Sequence, residues 1–349
     1  MNGRLFGAGI VAAAAAIAAL ALALPAAAQN KKETAWKQPM TPWGDPDIQG
    51  MWPIGDWAGV PLIRPKKYGD DPYLSAADYA KRKQRDAKLA ERYANENKNN
   101  KIGMGHWDES GDPQRRNSFI VDPKDGSFPK LTKVAEEKSK TMGSSWFRKT
   151  WDKPSDFDTW DRCITRGLPA SMFPMHYNNG IQIVQAPGYV VIRLEMIHES
   201  RIIPIDGKPL NPAIKQWMGA SRGHWDGNTL VVETTNFNGI PGMTNIGTIG
   251  SPRMSVPTST KMHITERFTR ISDNSMKYSI TVNDPVDLTR PWTAAYTWHR
   301  NPKYQMFEYA CLEGDVQVRN YIVTSRYARA HPEMDKNAPP APKRRERTE

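Results

Sequence analysis

The chain has 349 residues, a formal net charge of +11 and two cysteines. This length suits one large or two modest domains, with a core large enough to exclude a fold that depends on many disulfides. Much of the positive excess lies in helical and tail segments rich in Lys and Arg. It allows an unspecific attraction to anionic envelope surfaces and identifies no partner by itself.

The N-terminus has the features of an export signal. Arg4 supplies a positive start, an alanine-rich apolar run follows, and Ala26 to Ala28 fit the small-residue rule of signal peptidase. The alternative is an uncleaved anchor, but the apolar run is short for a bilayer and no charged stop-transfer flank follows it. We expect residues 1–28 to be a cleaved signal peptide and the mature protein to be periplasmic, without a transmembrane segment. Export also argues against nucleic acid as a partner.

Residues 29–159 are predicted to form an N-terminal extended arm followed by helices and loops. The arm, TPWGDPDIQGMWP, is dense in proline, glycine and tryptophan, and we expect Trp43 and Trp52 to pin it onto the body. Ser75 is a candidate N-cap for a charged helix through AADYAKRKQRDAKLAERYANEN, and LTKVAEEKSKTM predicts a second, short polar helix. Both helices are expected on the surface.

Residues 160–330 consist of short apolar runs separated by turn signals. The predicted strands are IQIVQAP, YVVIRLEMIH, RIIPI, TLVVETTNF, KMHITERFTRI, SMKYSITVND, WTAAYTWHR, QMFEYACL and VRNYIV. The connections are short and no helical crossover separates the strands. We therefore expect a mainly β fold, an antiparallel meander that forms a barrel-like (lipocalin-like) or sandwich domain. Residues 331–349 are rich in proline and charge and are expected to be a disordered tail.

Cys163 and Cys311 are natural partners in an oxidising compartment, so we expect a disulfide between them. The alternative is two unpaired buried thiols. Neither the cysteines nor the seven histidines show metal-ligand spacing, and the chain has no dinucleotide fingerprint and no P-loop. The sequence predicts no metal and no cofactor, although a metal site assembled only in space stays open.

One literal catalytic motif is present. Gly219 to Gly223 read G-A-S-R-G, which matches the G-x-S-x-G of serine hydrolases. That motif needs a strand before it and a helix after it, so that a strained turn exposes the serine hydroxyl. Here a turn and the strand TLVVETT follow, so we interpret Ser221 as part of a tight glycine-rich bend before a strand.

Alternation along the predicted strands places titratable groups on apolar faces. Glu266, Glu308 and His198 each share a face with apolar residues of the same strand. A β-bulge near Met196 would bring Glu195 to the same side as His198. A buried carboxylate without a partner is costly, so each of these groups must be hydrogen-bonded, ion-paired or protonated.

Two interpretations of these groups remain open. In the first they form a structural salt-bridge cluster, with Arg162, Arg193, Arg201 or Arg267 as partners of the carboxylates. In the second they line a cavity and act as general acids and bases. The candidate catalytic residues are then Glu195, His198, Glu266 and Glu308. The same region is rich in aromatic side chains, which could form part of the core or the surface that binds a ligand. The candidate substrate-binding residues are Arg162, Arg201, Trp225, Trp292 and Tyr309.

The motifs R-C-x-x-R-G-x-P, E-x-x-H-x-x-R-x-I-P-x-D-G, G-x-S-x-G-x-W-x-G, T-E-R-F and E-Y-x-C recur together in this chain. In this combination the chain resembles a family of exported proteins of environmental proteobacteria and acidobacteria. The positions that match are Arg162, Cys163, Glu195, His198, Arg201, Ser221, Trp225, Thr265, Glu266, Arg267, Glu308, Tyr309 and Cys311. The chain departs from the family pattern at Ile164-Thr165 and at Asn228. The resemblance implies a shared fold and carries no activity over to this chain.

The sequence thus predicts an exported, barrel-like β protein with a cavity lined by acidic residues and histidine. We expect a cofactor-independent acid–base enzyme, a lyase, isomerase or hydrolase, that acts on a small apolar or aromatic molecule. The alternative is a non-catalytic periplasmic carrier of a small ligand or an envelope-binding protein. Convergence of the glutamates and His198 on one solvent-reachable cavity would favour the enzyme, and dispersed charges would favour the carrier. The sequence leaves the oligomeric state open.

Overall fold

The structure, a computed structural model of the chain, describes residues 36–106, 108–109, 111–141, 150–240, 256–312 and 316–335. The predicted signal peptide, residues 1–28, lies outside the described residues, as do residues 336–349 of the predicted tail. Within the described part of the chain, no helix is both long enough and apolar enough to cross a membrane.

The described strands and helices are named here in chain order. The strands are β1 (Gly50–Met51), β2 (Ile120–Asp122), β3 (Ile181–Ala186), β4 (Tyr189–Leu194), β5 (Ser200–Pro204), β6 (Ala220–Asp226), β7 (Thr229–Thr235), β8 (His263–Ser272), β9 (Ser275–Asn283) and β10 (Trp292–His299). The α-helices are α1 (Ala76–Lys98), α2 (Lys133–Thr141), α3 (Gln317–Ala330) and α4 (Pro332–Asp335).

The strands form two antiparallel sheets, so the prediction of a mainly β fold with few helices is confirmed. The first sheet has the strand order β1-β3-β4-β5, and the second has the order β2-β10-β9-β8-β7-β6. Consecutive strands pair as neighbours from β3 to β5 and from β6 to β10, which is a meander in each sheet. The described strands form no closed barrel, and two separate sheets are compatible with a sandwich.

Both sheets bury their inner faces in one apolar core. Along β8, β9 and β10 the buried residues alternate with more exposed ones, as strand geometry requires. Ile183 and Ile192 of the first sheet belong to the same buried cluster as Phe268, Tyr278 and Trp298 of the second. Burying a large apolar side chain of this kind contributes about 1.5 to 3 kcal/mol. This shared core holds the two sheets together.

The predicted strand through His198 ends early. β4 stops at Leu194, and Met196–His198 form a single turn of 3-10 helix. Ile197 has φ +59° and His198 has φ +39°, which is left-handed backbone that cannot continue a β-ladder. The side chains after Leu194 therefore do not follow the strand alternation on which the predicted inner face depended.

Two predicted strands near the C-terminus are not found, and three observed strands, β1, β2 and β6, were not predicted. Residues 305–312 form no strand, and VRNYIV lies inside the helix α3. The apolar pattern of such short runs is compatible with either a strand or a helix. The contacts that each run makes with the rest of the fold decide which of the two it forms. Conversely, Ala220–Asp226, interpreted as a bend, forms the strand β6 and pairs with β7.

The N-terminal predictions hold in part. The Ser75 Oγ accepts a hydrogen bond from the Asp78 N–H at 3.1 Å, so the predicted N-cap of α1 is confirmed, and α1 has no buried residue. Trp52 is fully buried and donates from Nε1 to the Ile48 carbonyl at 3.0 Å. Trp43 is exposed and donates instead to Asp45. Of the two tryptophans, Trp52 is the one that pins the arm.

The predicted disulfide is present. Cys163 and Cys311 are bonded, with their Cα atoms 5.7 Å apart and a separation of 148 positions in sequence. The bond joins the segment before β3 to the segment that follows β10. The chain after β10 is thereby held beside the start of the first sheet, where it contacts the end of β4.

Candidate functional site

A cavity of about 500 Å³ lies along β5 and β6, the edge strands of the two sheets. β5 supplies Arg201 and Ile202 to its wall, and β6 supplies Ser221 and Arg222. Below it the two edges touch, since the Asp206 N–H donates to the Gly223 carbonyl at 2.8 Å. The segment between the two strands completes the wall.

The connecting segment is held in place by the chain that follows β7. Asn236 donates from Nδ2 to the carbonyls of Asn211 and Ile214, at 2.9 and 3.0 Å. The Gln216 N–H in turn donates to the Asn236 carbonyl at 2.9 Å. Gly219 has φ +68°, and a Cβ at that position would lie 2.5 Å from the Thr235 carbonyl oxygen, so only glycine permits this close approach. The wall is thus fixed by hydrogen bonds before any ligand binds.

Behind the cavity, Arg201 of β5 pairs with Glu266 of β8. Nη1 donates to Glu266 Oε1 at 3.0 Å, and Nη2 donates to Oε2 through a second, shorter bond. The Tyr278 hydroxyl donates to Oε1 at 2.9 Å, and all three side chains are buried. Burial alone would lower the pKa of Arg201, but the Glu266 carboxylate more than offsets this and the pKa is raised. Of the residues proposed as salt-bridge partners, Arg201 is the one that satisfies Glu266.

Ser221 lies in the strand β6 and not at a turn between a strand and a helix. Its Oγ is 2.8 Å from Thr234 Oγ1 and accepts from Arg201 Nη2 at 3.2 Å. Within the described residues, Ser221 Oγ has no hydrogen bond to a histidine or a carboxylate. Without a general base this hydroxyl is not activated as a nucleophile. It remains a polar group in the cavity wall.

Glu195 is buried away from this cavity, at the end of β4. Its carboxylate accepts from the N–H groups of Gly180 and Phe307 at 2.9 Å each, from the Tyr304 hydroxyl at 2.6 Å and from Asn178 Nδ2 at 3.2 Å. A Cβ at position 180 would lie 2.6 Å from Glu195 Oε2, so glycine is needed for the carboxylate to reach this backbone. Four donors satisfy the buried charge.

A second carboxylate, Glu109, adjoins Glu195 and was not among the candidates predicted from the sequence. The Tyr304 hydroxyl is 3.4 Å from Glu109 Oε1, and Asn179 donates to Oε2 at 2.9 Å. Burial raises the pKa of Glu109, and the neighbouring Glu195 charge adds to that rise. Burial also raises the pKa of Tyr304, so its hydroxyl stays protonated between the two acids. Glu109 lies in a loop without periodicity, and no local pattern pointed to it.

The space beside Glu195 is small. A narrow cleft lined by Arg166, Ser171, Asn178 and Glu195 has a volume of about 10 Å³. A single water molecule needs about 10 to 15 Å³ by this measure. The cleft therefore has room for a water molecule and not for an organic substrate.

Two further charged residues were also missed: Arg166, which lines the cleft, and the half-buried Glu199, which contacts the cleft residue Ser171. Burial lowers the pKa of Arg166 to about 10, and its guanidinium lies over the Trp160 ring at 5.4 Å from the ring centroid. Burial raises the pKa of Glu199, which accepts from the Ser171 hydroxyl at 3.3 Å. Glu199 also interacts electrostatically with both Arg166 and Arg201. Charged side chains therefore continue from the cleft toward the Arg201–Glu266 pair.

The other two candidate catalytic residues lie on the surface. His198 is exposed, with Nδ1 2.9 Å from the Tyr309 carbonyl oxygen. Glu308 is exposed and not in a strand, so the expectation that it shares a buried face is wrong. The reason is that this part of the chain does not join a sheet. It is held instead by the hydrogen bond from the Phe307 N–H to Glu195 and by the disulfide of Cys311. Glu195, Glu266, Glu308 and His198 do not meet at one cavity.

The candidate substrate-binding residues are also dispersed. Trp292 is fully buried in the core and stacks on Phe173 at 6.5 Å between ring centroids, and Trp225 packs against the edge of that core. The Tyr309 hydroxyl accepts from Trp160 Nε1 at 3.3 Å in a small separate apolar cluster. Arg162 is half-buried and does not line the cavity along β5 and β6. Of this set, Arg201 is the member that lines that cavity.

Within the described residues, no group of three or more His, Cys, Asp or Glu side chains is placed to hold a metal ion. Comparisons with protein-family models, with curated proteins and with solved structures find no match to this chain. No relative supplies a function or a set of site residues, so the cavity and the buried charges are the basis for a functional proposal.

Proposed function

We propose that the mature protein is a periplasmic carrier that binds a small apolar or aromatic molecule in the cavity along β5 and β6. The observation that carries this proposal is the cavity itself. Its volume of about 500 Å³ falls in the range of about 300 to 1,000 Å³ that is usual for small-molecule sites. The periplasmic location rests on the predicted signal peptide.

The walls of the cavity suit binding better than catalysis. Ile202, Leu210 and Met218 offer apolar surface, and Arg201 and Ser221 offer polar groups that can orient a ligand. Among the described residues, no histidine and no carboxylate lines it. Acid–base chemistry needs a group of that kind within hydrogen-bond reach of the reacting atom.

The test compares two substitutions of alanine by tryptophan. Ala220→Trp fills the cavity wall, whereas Ala186→Trp adds the same side chain at an exposed position of β3, away from it. Native mass spectrometry of the exported protein is expected to detect a bound small molecule in the parent and in Ala186→Trp, and not in Ala220→Trp. Bound ligand in Ala220→Trp at the parent level would refute this site.

An acid–base enzyme is the second candidate, and one observation favours it. The Tyr304 hydroxyl lies between two buried carboxylates, Glu109 and Glu195, and the pKa of Glu109 is raised by burial. Two neighbouring carboxyl groups in different environments are a common arrangement for proton transfer. The enzyme would be a lyase, isomerase or hydrolase, with the adjacent cleft widening to admit its substrate.

The two candidate functions predict different molecules bound to the variant Glu195→Gln. An enzyme that loses its acid or base keeps unreacted substrate, so mass spectrometry would find a different molecule bound to Glu195→Gln than to the parent protein. A carrier whose cavity lies along β5 and β6 binds the same molecule in both. The proposal of a carrier expects identical bound molecules.

A further inference from the structure

We propose that the ligand of the cavity along β5 and β6 is a small amphiphilic carboxylate, with its acid group at Arg201 and Ser221 and its apolar body against Ile202, Leu210 and Met218. This inference rests on the proposed function, because it concerns the same cavity. It adds the charge and the orientation of the ligand.

The first argument is the sign of the charges in the wall. Arg201, Lys208 and Arg222 line the cavity, and no Asp or Glu of the described ranges does. Two of these cations are balanced from outside it, Arg201 by Glu266 and Arg222 by Glu233 at 3.1 Å. Within the described part of the chain, Lys208 makes no ion pair. A ligand in this cavity therefore meets one positive charge that no described carboxylate pairs, that of Lys208, and two cationic groups that are already paired.

The second argument is a buried donor without an acceptor. Arg201 is 5% exposed, and its Nε is buried with no hydrogen-bond partner in the part of the chain that the structure describes. Glu266 takes one edge of the guanidinium, through Nη1 and Nη2. Nε lies on the other edge, where Nη2 donates to Ser221 Oγ in the cavity wall. An unmet buried donor costs about 1 to 3 kcal/mol, and a ligand oxygen that reached Nε from the side of Ser221 would remove that cost.

The third argument is the exposed apolar surface of the remaining wall. Ile202 is 64% exposed and Leu210 is 36% exposed, although both are large apolar side chains. Together with Met218, Pro204 and Pro209 they form the apolar part of the cavity. A carboxylate attached to an aliphatic or aromatic body would satisfy the unmet donor and cover this surface at the same time.

The experiment measures binding of matched acids and alcohols by isothermal titration calorimetry. Octanoate is paired with 1-octanol and phenylacetate with 2-phenylethanol, so that each pair differs in charge and not in its apolar body. We expect at least one acid to bind about 10-fold tighter than its alcohol. The pair that binds tells aliphatic from aromatic bodies. Equal affinity of acid and alcohol in both pairs would overturn this inference and leave the proposed carrier standing.

Two lysine variants test which positive charge contributes to the preference for the acid over the alcohol. Lys208→Gln is expected to weaken acid binding about three- to fivefold and to leave alcohol binding unchanged, since Lys208 is exposed and screened by solvent. Lys277→Gln removes another exposed cation, from β9 and away from the cavity, and is expected to change the binding of neither compound. An equal loss in both lysine variants would overturn the inference. Unchanged binding of both compounds by Ala220→Trp would overturn the inference and the proposed function together.

Discussion

Arg201 and Glu266 form a buried, two-bonded ion pair that links the two sheets, since Arg201 belongs to the edge strand β5 of one and Glu266 to the middle of the other. Both side chains are almost fully removed from solvent, and Tyr278 donates a third hydrogen bond to the carboxylate. The pair therefore joins the packing of the core to the wall of the proposed ligand cavity.

Loss of one partner of this pair is expected to destabilise the protein strongly. Glu266→Gln leaves the Arg201 charge buried and unpaired, which costs about 3 to 5 kcal/mol in the free energy of unfolding. Arg201→Met combined with Glu266→Leu removes both charges and is expected to recover most of that loss. Urea unfolding curves measure both effects.

The matched control for this prediction is Glu233→Gln. Glu233 pairs with Arg222 near the surface, where an ion pair contributes about 1 kcal/mol or less. If Glu266→Gln unfolded at the same urea concentration as Glu233→Gln, the structural role of the Arg201–Glu266 pair would be contradicted.

The Tyr304 hydroxyl is expected to stabilise the buried carboxylate of Glu195. Tyr304→Phe removes a donor 2.6 Å from Glu195 Oε2 and is expected to lower the free energy of unfolding by about 1.5 to 3 kcal/mol. Tyr321→Phe is the control, because Tyr321 is 49% exposed and its hydroxyl bonds to no described residue. Equal stability of the two variants in chemical denaturation would argue against the hydrogen bond.

The disulfide is expected to protect both cysteines from alkylation. Unreduced, denatured protein should take up no iodoacetamide, and reduction should release two thiols that intact-mass measurement detects. Replacing Cys163 and Cys311 by serine is expected to cost about 5 kcal/mol on the chain-entropy model, given the 148-residue separation. Alkylation of two thiols before reduction would show that the bond is absent.

Stability is expected to depend on pH through His299. Its Nδ1 lies 2.7 Å from Asp56 Oδ2, and this hydrogen bond raises the pKa of His299 above its ordinary value of about 6.5 although burial opposes the rise. Because the folded state binds the proton more tightly, the stabilisation is complete below pH 6.5 and is lost as the pH rises through the folded-state pKa. Asp112 is the other charged group that raises this pKa.

The measurement compares His299→Gln with the parent protein at two pH values. His299→Gln should lower the melting temperature more at pH 5.5 than at pH 9. The control is His224→Gln, which changes an exposed histidine of β6 and should show a much smaller change between the two pH values. A difference that is the same at both pH values would contradict the pairing with Asp56.

The sequence by itself determined the features that depend on local geometry. The two-residue alternation predicts β3, β4, β7, β8, β9 and β10 because the side-chain period of a strand is a property of the backbone. Ser75 was recognisable as an N-cap for the same reason, since a cap bonds to a residue three positions away. A chain with two cysteines left a single intramolecular pairing to predict.

The tertiary structure alone decided how the titratable groups are arranged. Alternation placed Glu266 on a buried face, but only the approach of the two sheets selects Arg201 as its partner. Glu109 and Glu195 are far apart in sequence and meet through Tyr304, which no local pattern encodes. The cavity forms between two edge strands, β5 and β6, that belong to different sheets. Such contacts depend on distances between separate parts of the chain, and sequence periodicity carries no information about those distances.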